Sequence, residues 1–266
     1  MKMIKKRMVA ILFLLLLTIS GCSENKLTTY NNALELFSKE NYIEAAKKFE
    51  KTGDYLQAPT YFAYSMGLYY YNNGLYIDAL PYFEKTTSFM QGQSRYTYCN
   101  AFLLETNGEY EQAALEYAKL GDYEDAAVRM HYSKGRAAEN AKNYEQALYE
   151  FGDAGQFADA PDRLIALQMQ LYKKANELKD ANNYEQALTL FVMLGSYLNS
   201  VEEVQFIKEK WNEQRYAQAE AFLLEGNLEQ ALQIFSSLSG YSDSQSRADE
   251  INNVLIPNID NSILEY

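Results

Sequence analysis

One phrase recurs six times along this chain, at intervals of 34, 34, 34, 40 and 44 residues. The copies begin at Tyr42, Tyr76, Tyr110, Tyr144, Tyr184 and Leu228. Every copy has an alanine three residues after this marker, an aromatic residue seven after it and a small residue nine before it. Such self-similarity predicts an array of equivalent units, because each unit buries its apolar face against its neighbours.

The spacing within a copy predicts two helices per unit. The alanines are Ala45, Ala79, Ala113, Ala147, Ala187 and Ala231, and the aromatic residues are Phe49, Phe83, Tyr117, Phe151, Phe191 and Phe235. The small residues are Ala33, Gly67, Ala101, Gly135, Ala175 and Ala219. A small residue lets two helix axes approach closely, and a ring four residues after an alanine lies on the same helical face. The end of the second helix is expected at a glycine with positive φ, as at Gly53, Gly121, Gly155 and Gly195.

A 34-residue period with these columns resembles the tetratricopeptide repeat, from about Thr28 to Ser244. The proline that usually closes that repeat is absent, and turns such as residues 155–160 are similar to those of degenerate repeats in extracellular Firmicutes proteins. The resemblance implies an all-α fold, a right-handed α-α superhelical solenoid of about six helical hairpins. Residues 28–244 are expected to form this solenoid, and residues 245–266 a capping helix and tail.

The two longer intervals place extra residues at the start of the first helix in the fifth and sixth units. Those helices are therefore predicted to be longer than the others by about two to three turns of 3.6 residues.

The first 21 residues are typical of an export signal. Four basic residues within 2–7 precede an apolar run from Met8 to Leu17, which is shorter than the roughly 20 residues that span a bilayer. Residues 19–22, Ile-Ser-Gly-Cys, resemble the lipobox of bacterial lipoproteins, in which the cysteine is acylated. We expect residues 1–21 to be removed and residues 22–27 to form a linker. The alternative is that Cys22 is an ordinary thiol.

The expected localisation is the outer face of the cell membrane, with Cys22 as the lipid anchor, as in a Gram-positive bacterium. Lipidation of Cys22 would leave Cys99 as the only thiol, so stability must come from packing. Cleavage removes four of the 24 basic residues and none of the 36 acidic ones, which leaves a formal charge of 20 − 36 = −16. Such a surface disfavours nucleic acid and anionic lipid headgroups as partners.

A tyrosine stands twelve residues before every marker: Tyr30, Tyr64, Tyr98, Tyr132, Tyr172 and Tyr216. In tetratricopeptide proteins first-helix side chains line the concave groove, so the resemblance implies a ladder of rings there. The other interpretation is that these rings pack between hairpins, and both remain open at this point. Neighbouring positions change from aromatic to charged along the chain, which suggests a groove with one apolar anchor point. The predicted groove residues are Tyr61, Tyr64, Leu68, Tyr71, Tyr98, Phe102, Arg129, Tyr132, Arg136 and Tyr172.

The sequence offers little support for a catalytic site. His131 is the only histidine, and the sequence has no HExxH or CxxC motif, so we expect no metal, no cofactor and no enzymatic activity. Ser23 and Lys26 have the spacing of a Ser-Lys pair, but they adjoin the lipid anchor with no pocket to organise them.

The predicted function is a membrane-anchored scaffold that binds a protein or peptide partner in its groove. The first alternative is binding of cell-wall glycan or a small ligand to the aromatic residues. Two weaker alternatives are a component of outer-membrane assembly, similar only in architecture, and a degenerate cell-wall hydrolase.

Overall fold

The structure is a computed structural model that describes residues 25–255, and all regular elements among these residues are helices. The predicted signal peptide, the lipidation site at Cys22 and the tail after residue 255 lie outside them. The helices are α1 (residues 25–38), α2 (Tyr42–Thr52), α3 (Ala58–Asn72), α4 (Tyr76–Glu84), α5 (Gly92–Thr106), α6 (Tyr110–Ala118), α7 (Ala126–Asn140), α8 (Tyr144–Ala154), α9 (Ala160–Asp180), α10 (Tyr184–Leu194), α11 (Ser200–Leu224), α12 (Leu228–Ser237) and α13 (Ser244–Leu255).

Successive helices pack against each other from α2 to α8 in the first part of the chain and from α10 to α13 in the last part, so the fold is an all-α solenoid of consecutive hairpins, as predicted. The chain divides into two compact units, of which the first ends at Pro161 and the second begins at Asp162. In the second unit α13 covers the last hairpin, because Ala248 and Ile251 are buried in one cluster with Phe235. The predicted capping helix is thereby confirmed. No helix among residues 25–255 has the length and hydropathy needed to cross a bilayer.

The three repeat columns form the interior of the hairpins. Every alanine and every aromatic residue of the two columns after the marker is completely buried. The small residue faces the aromatic ring of its own hairpin: a Cβ added to Gly67 would lie 2.7 Å from a ring carbon of Phe83, and one added to Gly135 would lie 2.7 Å from Phe151. The close approach of the two helices therefore depends on the absence of a side chain at these two positions.

The helix ends follow the predicted turn chemistry. Gly53, Gly121, Gly155 and Gly195 all have φ between +56° and +60°, in the region that glycine occupies without a steric penalty. The predicted extension of the later first helices is also confirmed. Helix α9 has 21 residues and α11 has 25, whereas α3, α5 and α7 have 15 each.

Candidate functional site

The tyrosine column joins each hairpin to the next one. In four repeats the tyrosine hydroxyl donates a hydrogen bond to the residue 27 positions later, immediately before the next first helix or before α13. The distance is 2.5 Å from Tyr98 to Asp125 and 2.8 Å from Tyr132 to Asp159. The other two pairs are Tyr172 with Asn199 and Tyr216 with Asp243. Tyr64 instead accepts a hydrogen bond from the backbone N–H of Gln91, also 27 residues later, at 3.3 Å.

Burial decides between the two interpretations of this column in the first unit. Tyr30, Tyr64, Tyr98 and Tyr132 are only 2–7% exposed, and Leu68 and Tyr71 are buried as well. The Tyr98 ring packs edge-on against Tyr117 of the second helix and Tyr123 of the following turn, at centroid distances of 5.8 and 6.0 Å. The prediction that Tyr64, Leu68, Tyr71, Tyr98 and Tyr132 line an open groove is therefore wrong. They fill the space between hairpins, and a ligand cannot contact their ring faces.

The other predicted groove residues, Tyr61, Phe102, Arg129, Arg136 and Tyr172, are partly exposed. Arg136 donates a 2.8 Å hydrogen bond to the Tyr132 hydroxyl. Tyr172 lies in the second unit, where its ring packs against Phe191 and Tyr197. The described structure thus brings the predicted residues of the first unit onto successive first helices.

Adjacent first helices contact each other through one repeated pair of positions. A residue near the end of one first helix contacts the residue 24 positions later, in the first turns of the next first helix. The residue types of this pair change from aromatic to charged along the chain. The contact is ring to ring for Phe37 and Tyr61, and guanidinium to ring for Tyr71 and Arg95. It is a salt bridge of 3.0 Å for Glu105 and Arg129, and one of 2.8 Å with reversed polarity for Lys179 and Glu203.

Arg129 shows how this position is satisfied when a carboxylate faces it. Its Nη1 donates to Glu105 at 3.0 Å, and its Nε donates to Asp125 at 2.9 Å. The side chains of Arg129 and Glu105 are only 14% and 13% exposed, and the guanidinium also lies 4.9 Å from the ring centroid of Phe157. Burial raises the pKa of Glu105, and the charge of Arg129 opposes that shift. Both buried charges therefore have partners.

Arg95 occupies the same repeat position without such a partner. Its guanidinium lies 4.9 Å from the Tyr71 ring centroid and donates a hydrogen bond of 3.3 Å to the amide oxygen of Gln91, and the Tyr64 hydroxyl is a second hydrogen-bonding neighbour. Among residues 25–255, no carboxylate lies within salt-bridge distance of Arg95. Its Nε is buried without a hydrogen-bond acceptor in the described part of the chain.

Two buried tyrosine hydroxyls adjoin Arg95. The hydroxyls of Tyr71 and Tyr123 lie within hydrogen-bonding reach of each other. Tyr64 and Tyr123 also lie close enough to Arg95 to interact with its charge. We call Arg95, Tyr64, Tyr71 and Tyr123 the arginine cluster. It holds a partly exposed guanidinium that makes no salt bridge among the described residues, although Glu124 lies close enough to Tyr71 and Tyr123 to interact with their hydroxyls, and a free guanidinium of this kind can bind a carboxylate.

Sequence reasoning missed Arg95. The available signal was the repeat alignment, since Arg95 shares its position with Arg129, while the residue 24 positions before it is Tyr71 where Arg129 has Glu105. That comparison shows that Tyr71 stands beside Arg95 at the position where Glu105 pairs with Arg129.

The imidazole of His131 and the thiol of Cys99 are held within the packing of the described chain. His131 Nδ1 shares a 2.8 Å hydrogen bond with Glu150, a buried carboxylate on α8. Burial raises the pKa of the Cys99 thiol to about 12, so it is protonated at neutral pH. Residues 25–255 contain no group of three His, Cys, Asp or Glu side chains placed to hold a metal ion.

In comparisons with known proteins, the chain matches no family model and no curated sequence.

Proposed function

We propose that this chain is an exported tetratricopeptide-like lipoprotein, anchored through Cys22, that binds a protein or peptide partner through its first unit. The arginine cluster carries the proposal. A half-buried guanidinium without a carboxylate is costly to keep in a folded chain, since burial of an unpaired charge weakens stability. A binding partner that supplies the missing carboxylate would recover that cost on association.

The chemistry of the cluster specifies one feature of the partner. A carboxylate, from an Asp or Glu side chain or a chain terminus, would accept hydrogen bonds from the partly exposed guanidinium of Arg95. The partly exposed rings of Tyr61 on α3 and Phe102 on α5 offer apolar contact on the same set of first helices. A formal charge of −16 on the mature chain repels strongly acidic ligands. The partner is therefore a polypeptide with an isolated acid among apolar or basic residues.

The glycan alternative depended on exposed tyrosine faces, and the buried column removes that support in the first unit. Cell-wall glycan therefore serves as the comparison ligand in the binding experiment.

The experiment selects ligands from a mixed-sequence decapeptide library on the immobilised mature chain, followed by counter-selection on Arg95→Gln. Lys47→Gln removes one exposed positive charge on α2 and is the matched control. We expect enriched peptides to contain Asp or Glu next to apolar residues, and to bind Arg95→Gln about tenfold more weakly. Equal binding to the wild type and Arg95→Gln, or co-sedimentation with purified peptidoglycan in place of peptide binding, would refute the proposal.

The anchor is tested separately by mass spectrometry of the amino-terminal peptide from membranes of the native cell. Diacylglycerol or additional acyl mass on Cys22 supports it. An unmodified thiol at Cys22, or an amino terminus at Met1, contradicts it.

A further inference from the structure

Two exposed apolar side chains occupy the turns that join the first three hairpins. Leu56 is 65% exposed and Met90 is 57% exposed. Both have positive φ, +50° and +48°, a backbone conformation that bulky side chains seldom adopt. Neither side chain is covered by packing within the described part of the chain.

The turn itself does not require an apolar residue. The same repeat position has a similar positive φ in the later turns, where it is occupied by Glu124, Ala158, Leu198 and Ser242. Because glutamate, alanine and serine fit this backbone, the turn does not require the exposed apolar side chains of Leu56 and Met90, nor that of Leu198, which is 66% exposed at the same position in the second unit.

These two turns lie at the end of the hairpins from which the chain leads back to Cys22. Tyr30, in the second turn of α1, has its ring centroid 5.7 Å from that of Tyr55, next to Leu56. Leu27 is 44% exposed at the start of the same helix. A chain spans at most about 3.6 Å per residue, so the Cα of Cys22 lies within roughly 11 Å of the Cα of Asn25. We call Leu27, Leu56 and Met90 the anchor edge.

The charges beside the anchor edge are balanced. Exposed Lys26, Lys51 and Lys85 accompany it, together with the exposed acids Glu50, Asp54 and Glu84. The mature chain as a whole has a formal charge of −16, so this edge is a region of lower negative charge. Because surface charges separated by more than a Debye length of about 8–10 Å are largely screened, the balanced charges at this edge, and not the charge of the whole chain, determine how strongly an anionic bilayer repels it.

We propose that the anchor edge rests on the lipid bilayer, with Leu56 and Met90 inserted at the headgroup level beside the acylated Cys22. The proposal rests on the lipid anchor of the proposed function. A second contact of this kind fixes the orientation of the hairpins, because attachment at Cys22 alone would be a single point about which the first unit could rotate. Apolar side chains placed at the boundary between headgroups and acyl chains give such a peripheral contact.

The experiment uses the mature chain, residues 22–266, coupled through Cys22 to a maleimide phospholipid in vesicles of phosphatidylglycerol and phosphatidylethanolamine. Cys99 is completely buried and does not compete for coupling. Trp211→Phe removes the only tryptophan, and Leu56→Trp or Met90→Trp then reports contact with brominated acyl chains. Leu75→Trp is the matched control, since Leu75 is 46% exposed in the turn between α3 and α4, at the opposite end of the hairpin helices.

We expect brominated lipid to quench the tryptophan fluorescence of Leu56→Trp and Met90→Trp about twofold, at an insertion depth of about 5–10 Å, and to leave Leu75→Trp unchanged. Equal quenching at all three positions, or none at positions 56 and 90, overturns the proposal, and a glycan or protein neighbour would then be the occupant of this edge. The chemical coupling makes this result independent of acylation in the cell. Failure of the anchor therefore appears only in the mass of the native amino-terminal peptide.

Discussion

Two arginines at one repeat position should differ strongly in how far the same substitution changes the free energy of unfolding. Arg129→Met removes the partner of Glu105, whose side chain is 13% exposed, and one of the partners of Asp125. Loss of one member of a buried ion pair typically costs about 3–5 kcal/mol. Because Asp125 is 43% exposed and methionine keeps the apolar contacts, we expect Arg129→Met to lower the free energy of unfolding by about 2–4 kcal/mol.

Arg95→Met leaves no carboxylate without a partner. It loses the cation–π contact with Tyr71, which contributes about 0.5–1 kcal/mol, and a long hydrogen bond to Gln91. It also removes the desolvation cost of an unpaired guanidinium, which offsets these losses. We expect a change in unfolding free energy within about 1 kcal/mol of zero, with stabilisation the more favourable outcome.

The assay is urea unfolding followed by circular dichroism at the helical minimum, with hydrogen exchange of peptides from α5 to α7 to locate the effect. Repeat arrays can unfold in segments, so the exchange data assign the change to the hairpins that contain the substitution. If Arg95→Met destabilises these helices as much as Arg129→Met, Arg95 has a partner within the chain and the unpaired cation does not exist.

Three further results are expected. Tyr98→Phe removes the hydrogen bond to Asp125 and should lower the free energy of unfolding in urea by about 1–2 kcal/mol. Tyr149 is exposed, so Tyr149→Phe is the control and should leave the unfolding midpoint unchanged. Equal midpoints for the two variants would contradict the role of the tyrosine column. Gly135→Ala places a Cβ 2.7 Å from a ring carbon of Phe151 and should lower the free energy of unfolding by about 1–2 kcal/mol, although alanine has the better helix propensity. A stabilised variant would contradict this packing. The pKa of Glu105 is raised in the folded protein, so above about pH 4 the native protein binds more protons than the unfolded chain. The contribution of Glu105 to the free energy of unfolding therefore falls as the pH rises. Glu105→Gln should gain stability relative to the wild type between acidic and neutral pH. A constant difference across that range would contradict the burial of the carboxyl group.

The helical array could be predicted from sequence because its columns are set by local geometry. Small residues, alanines and rings at fixed offsets have only one use in a pair of packed helices, and the structure buries all of them. The lengths of α9 and α11 followed for the same reason, since extra residues without a turn signal extend a helix.

The role of the tyrosine column could not be decided in this way. A tyrosine every 34 residues suits a groove or an interior equally, because its ring is apolar and its hydroxyl is polar. The deciding feature was a second column 27 residues later, where Asp125, Asp159 and Asn199 accept a hydrogen bond from the tyrosine hydroxyl. The isolation of Arg95 depends on which side chains reach it in space, and a repeat alignment alone does not contain that information.

The most direct test of peptide binding at the arginine cluster is a double-mutant cycle measured by calorimetry. The two proteins are the mature wild-type chain and Arg95→Gln, and the two ligands are a selected acidic peptide and the same peptide with its acid changed to the amide. If Arg95 pairs with the ligand carboxylate, the cycle gives a coupling energy of at least about 1.5 kcal/mol, the lower end for close charge pairs across an interface. If the four affinities are additive within about 0.5 kcal/mol, Arg95 does not contact the acid and the account of this site is wrong.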